Sequence, residues 1–210
     1  MMTVDRADAW SDALAALSNC LRRPDESVQR ALEDGAETIP DLLAQIGVEA
    51  EPVSATGRDL TEDYEALFGA FSTPFAPPAA SPYKEWYGDR GGLMGGPPAT
   101  AMERRFDALD VTIPDAYPAD HISLQLEYAS LLADAQQWDE LAAFVESELD
   151  WVDAFAELVA EATAEAPVYR WCVTQLLPTI ERLRTELDVD GPEQERVAQM
   201  ASRARTHAGD

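Results

Sequence analysis

The 210 residues carry 15 Lys and Arg against 40 Asp and Glu, a formal charge of −25, and 46% of them are hydrophobic. A balance this acidic argues against nucleic acid or an anionic membrane surface as partner. The length suits a single domain able to bury roughly 70% of its unfolded surface without disulfide or metal staples. Cys20 and Cys172 belong to no C-x-x-C pair, so neither a disulfide framework nor a cysteine-based zinc site is expected. The start, Met1 to Asp8, has no basic segment followed by an apolar run, and no stretch approaches the ~18 apolar residues of a membrane span. These features predict a cytoplasmic protein without membrane insertion.

Trp10, Leu14, Leu17 and Leu21 recur at spacings of four, three and four, which predicts a first helix ending before Pro24. Asp25 is placed to cap a second helix carrying Val28 and Leu32, and Pro40 suits the first turn of a short continuation closed by Gly47. After a polar linker over 48–58, Thr61 opens a segment with Tyr64, Leu67, Phe68 and Phe71, its first turn filled by Glu62, Asp63 and Glu65 where the helix dipole favours negative charge.

Residues 72–98 hold six prolines and five glycines and predict a long irregular loop, usually a functional feature when found inside a compact domain. Its aromatic residues Tyr83, Trp86 and Tyr87 are expected to pack it against the bundle. Beyond it, Ala99–Leu109 reads helical, 110–120 forms a Pro-containing connection, and His121–Ala133 is helical again. Leu141, Phe144, Val145 and Leu149 mark one further helix; Val152, Phe155, Leu158 and Val159 mark the next. A long one carries Tyr169 to Leu187 and is expected to bend at Pro178. The last, from Pro192, has the thin stripe Val197, Met200 and Ala204 and is expected to fray into a flexible tail at about 203–210. No segment alternates with period two. The fold expected is therefore all-α: one bundle of about eight or nine helices spanning 1–210, with a long Pro/Gly-rich loop.

Parts for catalysis are few. His121 and His207 are the two histidines, so zinc-protease patterns are missing. The glycine run from Gly88 to Gly96 has no G-K-[ST] ending and follows no strand. The expectation is a protein that is not an enzyme, without catalytic or metal-binding residues and without a cofactor of its own. Asp120 reads as the N-cap of the helix that follows, with His121 at its first helical position, and capping is compatible with recognition because a capped start aims its first side chains.

Four segments in one order carry a resemblance: Tyr64-Glu65-Ala66-Leu67-Phe68, then Ser81-Pro82-Tyr83-Lys84-Glu85-Trp86-Tyr87, then Gly92-Leu93-Met94-Gly95, then Pro118-Ala119-Asp120-His121 followed by Ile122 to Tyr128. Together they resemble the TorD/DmsD/NarJ family of redox-enzyme maturation chaperones, over about residues 60–135. Two departures stand out: Lys84-Glu85-Trp86 in place of the family's commoner Glu-Ser pair, and Gln125 at the first of its acidic helix positions. The resemblance implies an all-helical cytoplasmic chaperone for the catalytic subunit of a dimethyl sulfoxide reductase-type molybdoenzyme. Such a chaperone binds the subunit's twin-arginine signal and holds it for cofactor insertion before export, in the setting of anaerobic respiration. Carried over by motif, the client-binding residues are Tyr64, Leu67, Phe68, Pro82, Tyr83, Glu85, Asp120, His121 and Glu127. A stripe such as Tyr64, Leu67 and Phe68 equally suits a core face, and Tyr83 equally suits loop packing.

A twin-arginine signal offers two guanidinium groups and an apolar stretch, so its receptor needs carboxylates and an apolar groove. The alternative reading is an acidic helical adapter or regulatory protein that binds another peptide or helix. Monomer and domain-swapped dimer are both compatible with the sequence. Only Lys84 among the 15 basic residues is Lys, leaving 14 Arg. With the carboxylate excess, that resembles proteins of extreme halophiles, for which screening at 1 M salt shortens charge interactions to about 3 Å.

Overall fold

Trp10, Leu14, Leu17 and Leu21 are fully buried, as a single apolar stripe requires, and they lie on or just beyond α1 (Val4–Cys20). The computed structural model describes residues 4–35, 38–70, 72–85, 94–114 and 117–206. Helices α2 (Glu26–Gly35), α3 (Thr38–Gln45), α4 (Leu60–Phe68), α5 (Gly96–Asp107), α6 (Ile122–Asp134), α7 (Trp138–Glu148), α8 (Val152–Glu161), α9 (Pro167–Leu187) and α10 (Gln194–Thr206) complete the set. The protein is an all-helical single-domain bundle, with ten helices among the described residues rather than eight or nine.

Helix α6 is the axis. Ile122, Leu124, Leu126, Ala129 and Ala133 are buried on more than one side of it, with the polar Ser123, Gln125 and Ser130 buried among them. A helix apolar over most of its circumference belongs in a core. Helix α1 lies along α6, fastened where Ser18 Oγ donates to the Ser123 carbonyl at 2.7 Å. On another side, Trp151 Nε1 donates to Gln125 Oε1 at 2.9 Å, so the buried amide oxygen is satisfied by the residue that precedes α8. Tyr64 and Phe68 of α4 meet Tyr169 of α9 edge to face, with centroids 5.2 and 5.6 Å apart.

Three expectations change. The irregular loop is shorter than 72–98, because Gly96, Pro97 and Pro98 make the first turn of α5. Proline fits there since its missing N–H would have no intrahelical acceptor, and Gly95, at φ +93, provides the turn into the helix. Helix α10 does not fray over its described length: Val197, Met200, Ala201 and Ala204 are buried, and Arg203 Nη1 donates to the Tyr83 carbonyl at 2.7 Å. His121, not Asp120, caps α6. Trp86, Tyr87, the glycines at 88, 91 and 92, and His207 lie outside the described residues.

Candidate functional site

The chain from Pro78 to Ser81 runs against the chain from Asp120 to Ile122. Ala80 N–H donates to the Asp120 carbonyl at 3.1 Å, and Ile122 N–H donates to the Pro78 carbonyl at 2.8 Å, around an isolated antiparallel bridge between Ala79 and His121. This pairing decides which residue caps α6. It turns the Asp120 side chain towards the loop, where Oδ2 accepts the Ser81 N–H at 2.6 Å, and leaves His121 to cap. Ser81 Oγ in turn accepts the Gly95 N–H at 2.9 Å, so one short segment holds the starts of both α5 and α6.

His121 Nδ1 accepts the Ser123 N–H at 3.2 Å and lies 2.7 Å from Ser123 Oγ. An accepting Nδ1 leaves the ring proton on Nε2, which faces the Tyr64 hydroxyl at 3.0 Å and donates to its oxygen. The imidazole is almost wholly buried. Burial pushes its pKa down to about 3 from 6.5, and the neighbouring Arg22 guanidinium pushes the same way. Asp120 has the opposite problem. It is inaccessible to solvent, its Oδ1 has no hydrogen-bond partner among the described residues, and burial raises its pKa against the lowering effect of Ser81. Tyr117 closes the cluster with its ring edge-on to His121, centroids 4.9 Å apart.

The residues carried over by motif separate into three groups. Tyr64, Asp120 and His121 meet in the cluster just described. Leu67, Phe68, Pro82 and Tyr83 are buried packing: Tyr83 lies against Trp151 at 4.9 Å and Phe155 at 6.4 Å, its hydroxyl has no partner among the described residues, and burial raises its pKa strongly. The sequence left Tyr83 open between binding and packing, and in this conformation it packs. The third group, half-buried Glu127 and exposed Glu85, is accessible to solvent. Glu127 of α6 lies at the surface, whereas Glu85 stands apart, 3.5 Å from Arg203 beside a cleft of about 500 Å³ lined also by Lys84, Asp150 and Arg196. Asp120 therefore offers no charge-assisted contact to a peptide here; the carboxylates at the surface are others.

Those carboxylates are Glu127 and Glu65, and each holds an arginine of the link between α1 and α2. Arg22 Nη2 donates to Glu127 Oε2 at 2.9 Å, and Arg23 Nη2 to Glu65 Oε1 at 2.8 Å. The Tyr117 hydroxyl donates to the Arg23 carbonyl at 3.3 Å. The sequence reading took Glu65 only as a helix-turn charge within a motif and passed over Arg22 and Arg23. The adjacent arginines were the available signal, but nothing in the chain indicates that their partners lie 42 and 105 residues away. Among the described residues no group of three or more His, Cys, Asp and Glu side chains is arranged to hold a metal ion.

An all-helical bundle that joins three remote segments in a buried Tyr-His-Asp cluster beneath surface carboxylates has the makings of a protein-binding module. The family described as nitrate reductase delta subunit matches residues 25–162, well over half of the chain. The protein belongs to this family, the NarJ/TorD-type chaperones of molybdoenzyme maturation, whose partner is the enzyme's catalytic subunit. No curated protein is significantly similar to the chain. Among the described residues no helix is long and apolar enough to cross a membrane.

Proposed function

We propose that the chain binds the N-terminal twin-arginine signal of a dimethyl sulfoxide reductase-type catalytic subunit, in the cytoplasm, and holds the subunit for cofactor insertion before export. The observation that carries this reading is the placement of Glu65 and Glu127. They come from two motif helices, and both carboxylates already hold guanidinium groups at hydrogen-bonding distance beside the Tyr64–His121 contact. Carboxylates in such positions suit a peptide with neighbouring arginines, because charge-assisted pairs with guanidinium are strong and directional. Tyr64, Leu67, Phe68, Pro82, Tyr83, Asp120 and His121 act from beneath. Tyr64, Asp120 and His121 lock the start of α6 against α4 and the 78–83 segment, with Leu67, Phe68, Pro82 and Tyr83 buried around them, and so set where the two carboxylates stand. Glu85 serves a different face, against α10.

Calorimetric titration with a synthetic peptide carrying two consecutive arginines and an apolar stretch tests the proposal. Wild type should bind it, and replacing both peptide arginines by glutamine should weaken binding at least about tenfold, the loss of one or two charge-assisted contacts. Equal binding of the two peptides would refute recognition of the arginine pair.

A further inference from the structure

The residues that occupy Glu65 and Glu127 are themselves a pair of consecutive arginines. Helix α1 stops at Cys20 and α2 begins at Glu26, and the non-helical link between them carries Arg22 and Arg23 over the cluster. Three features of this link match those of a bound peptide. Its two guanidinium groups reach carboxylates on two different helices, α6 and α4. Its backbone is held by a side chain of the site, through the Tyr117 hydroxyl on the Arg23 carbonyl. The Arg22 charge also lies close enough to the buried imidazole to help lower the pKa of His121.

We infer that Arg22 and Arg23 hold the place of the client's arginine pair: the chain carries its own stand-in for the ligand, and a peptide with two consecutive arginines binds by displacing it. This deepens the signal-binding reading above and rests on it. The exchange is chemically even, since guanidinium replaces guanidinium on the same two carboxylates and neither is left unpaired. It is also accessible. The side chains of the Arg22–Glu127 pair are 36% and 38% exposed, and those of the Arg23–Glu65 pair 53% and 50%. Ion pairs that exposed are held weakly and break without a large penalty. A chaperone whose empty site is covered by a weak internal competitor avoids presenting two unpaired carboxylates, binds stray cationic segments poorly, and releases its client readily when the link returns.

The competition makes an unusual prediction, because removing positive charge from a strongly acidic protein should improve one particular interaction by more than general electrostatics gives. Titration of the arginine-pair peptide and its glutamine counterpart compares wild type, the double variant Arg22→Gln/Arg23→Gln, and Glu65→Gln/Glu127→Gln, with thermal melting of each protein alongside. The arginine-pair peptide should bind the first variant about five- to tenfold tighter than wild type, and the second variant at least tenfold more weakly, while the glutamine peptide hardly discriminates. The single variant Arg23→Gln, at the more exposed pair, should show about half the gain on a logarithmic scale and guards against misfolding of the double variant.

Unchanged or weaker binding by Arg22→Gln/Arg23→Gln, with its melting lowered and wild type still preferring the arginine peptide, would make the two pairs a simple clip between α1, α4 and α6. That result overturns the inference and leaves the signal-binding reading standing. If wild type and every variant bind the two peptides alike, the reading itself falls and the inference with it.

Discussion

Acidification should unfold the protein through His121. The neutral ring caps α6 by accepting the Ser123 N–H, and a proton on Nδ1 removes that acceptor. The folded pKa near 3 stands below the ordinary 6.5, so between these values the unfolded chain binds a proton that the folded chain refuses. Stability then falls as pH drops below about 6.5 and stops falling near 3. Each unit of that window corresponds to about 1.4 kcal/mol, giving a loss of roughly 3 kcal/mol by pH 4.5, a large part of the 5–15 kcal/mol typical of a domain. Asp120 works the other way: its raised pKa makes the folded state the better proton binder just above the ordinary carboxyl range, which adds stability as pH falls there. Comparison with His121→Asn separates the two, because Asp120 is common to both proteins and asparagine keeps a capping oxygen without the titration. The variant leaves the Tyr64 hydroxyl without its partner and should be about 1–2 kcal/mol less stable at pH 7. Urea unfolding at pH 7 and pH 4.5 should show the wild type losing roughly 3 kcal/mol more than the variant across that interval. Parallel losses in the two proteins would show that His121 is not held neutral by the fold.

Two further outcomes follow from the packing and the charge. Tyr83→Phe should leave stability unchanged or raise it by up to about 1 kcal/mol, since it removes a buried hydroxyl that has no partner among the described residues while keeping the ring on Trp151; a loss above about 1 kcal/mol in chemical unfolding would mean the hydroxyl is satisfied. With 40 carboxylates against 15 cations, the melting temperature should rise as potassium chloride is increased from ~0.1 M to ~3 M, through screening and strengthened apolar burial; a flat profile would contradict adaptation to concentrated salt.

Periodicity made the helices legible because burial of one stripe is a local property of the chain. The residues Leu141, Phe144, Val145 and Leu149, read from spacing alone, are all in the core. Local rules misjudged the places where a distant segment decides. Asp120 has the better intrinsic claim to cap α6, yet the Pro78–Ser81 segment recruits its carboxylate and His121 takes the cap instead. The stripe of α10 is thin because small residues suffice where Ala201 and Ala204 lie close against the bundle, and α8 is the neighbour that makes them core. Motif order brought Tyr64, Asp120 and His121 together correctly in space, but it could not say that they would be covered. Coverage comes from Tyr117 and from a link carrying Arg22 and Arg23, ahead of the motifs in the chain.

The most direct test of the account uses a whole client: the cofactor-free catalytic subunit of the cognate molybdoenzyme, titrated into the protein with its N-terminal signal intact and with the signal removed. The intact subunit should form a stable complex and the shortened subunit should bind at least about tenfold more weakly, a difference of about 1.4 kcal/mol or more. Equal affinity for the two forms would contradict recognition through the signal and would place the contact between chaperone and catalytic subunit elsewhere on the bundle.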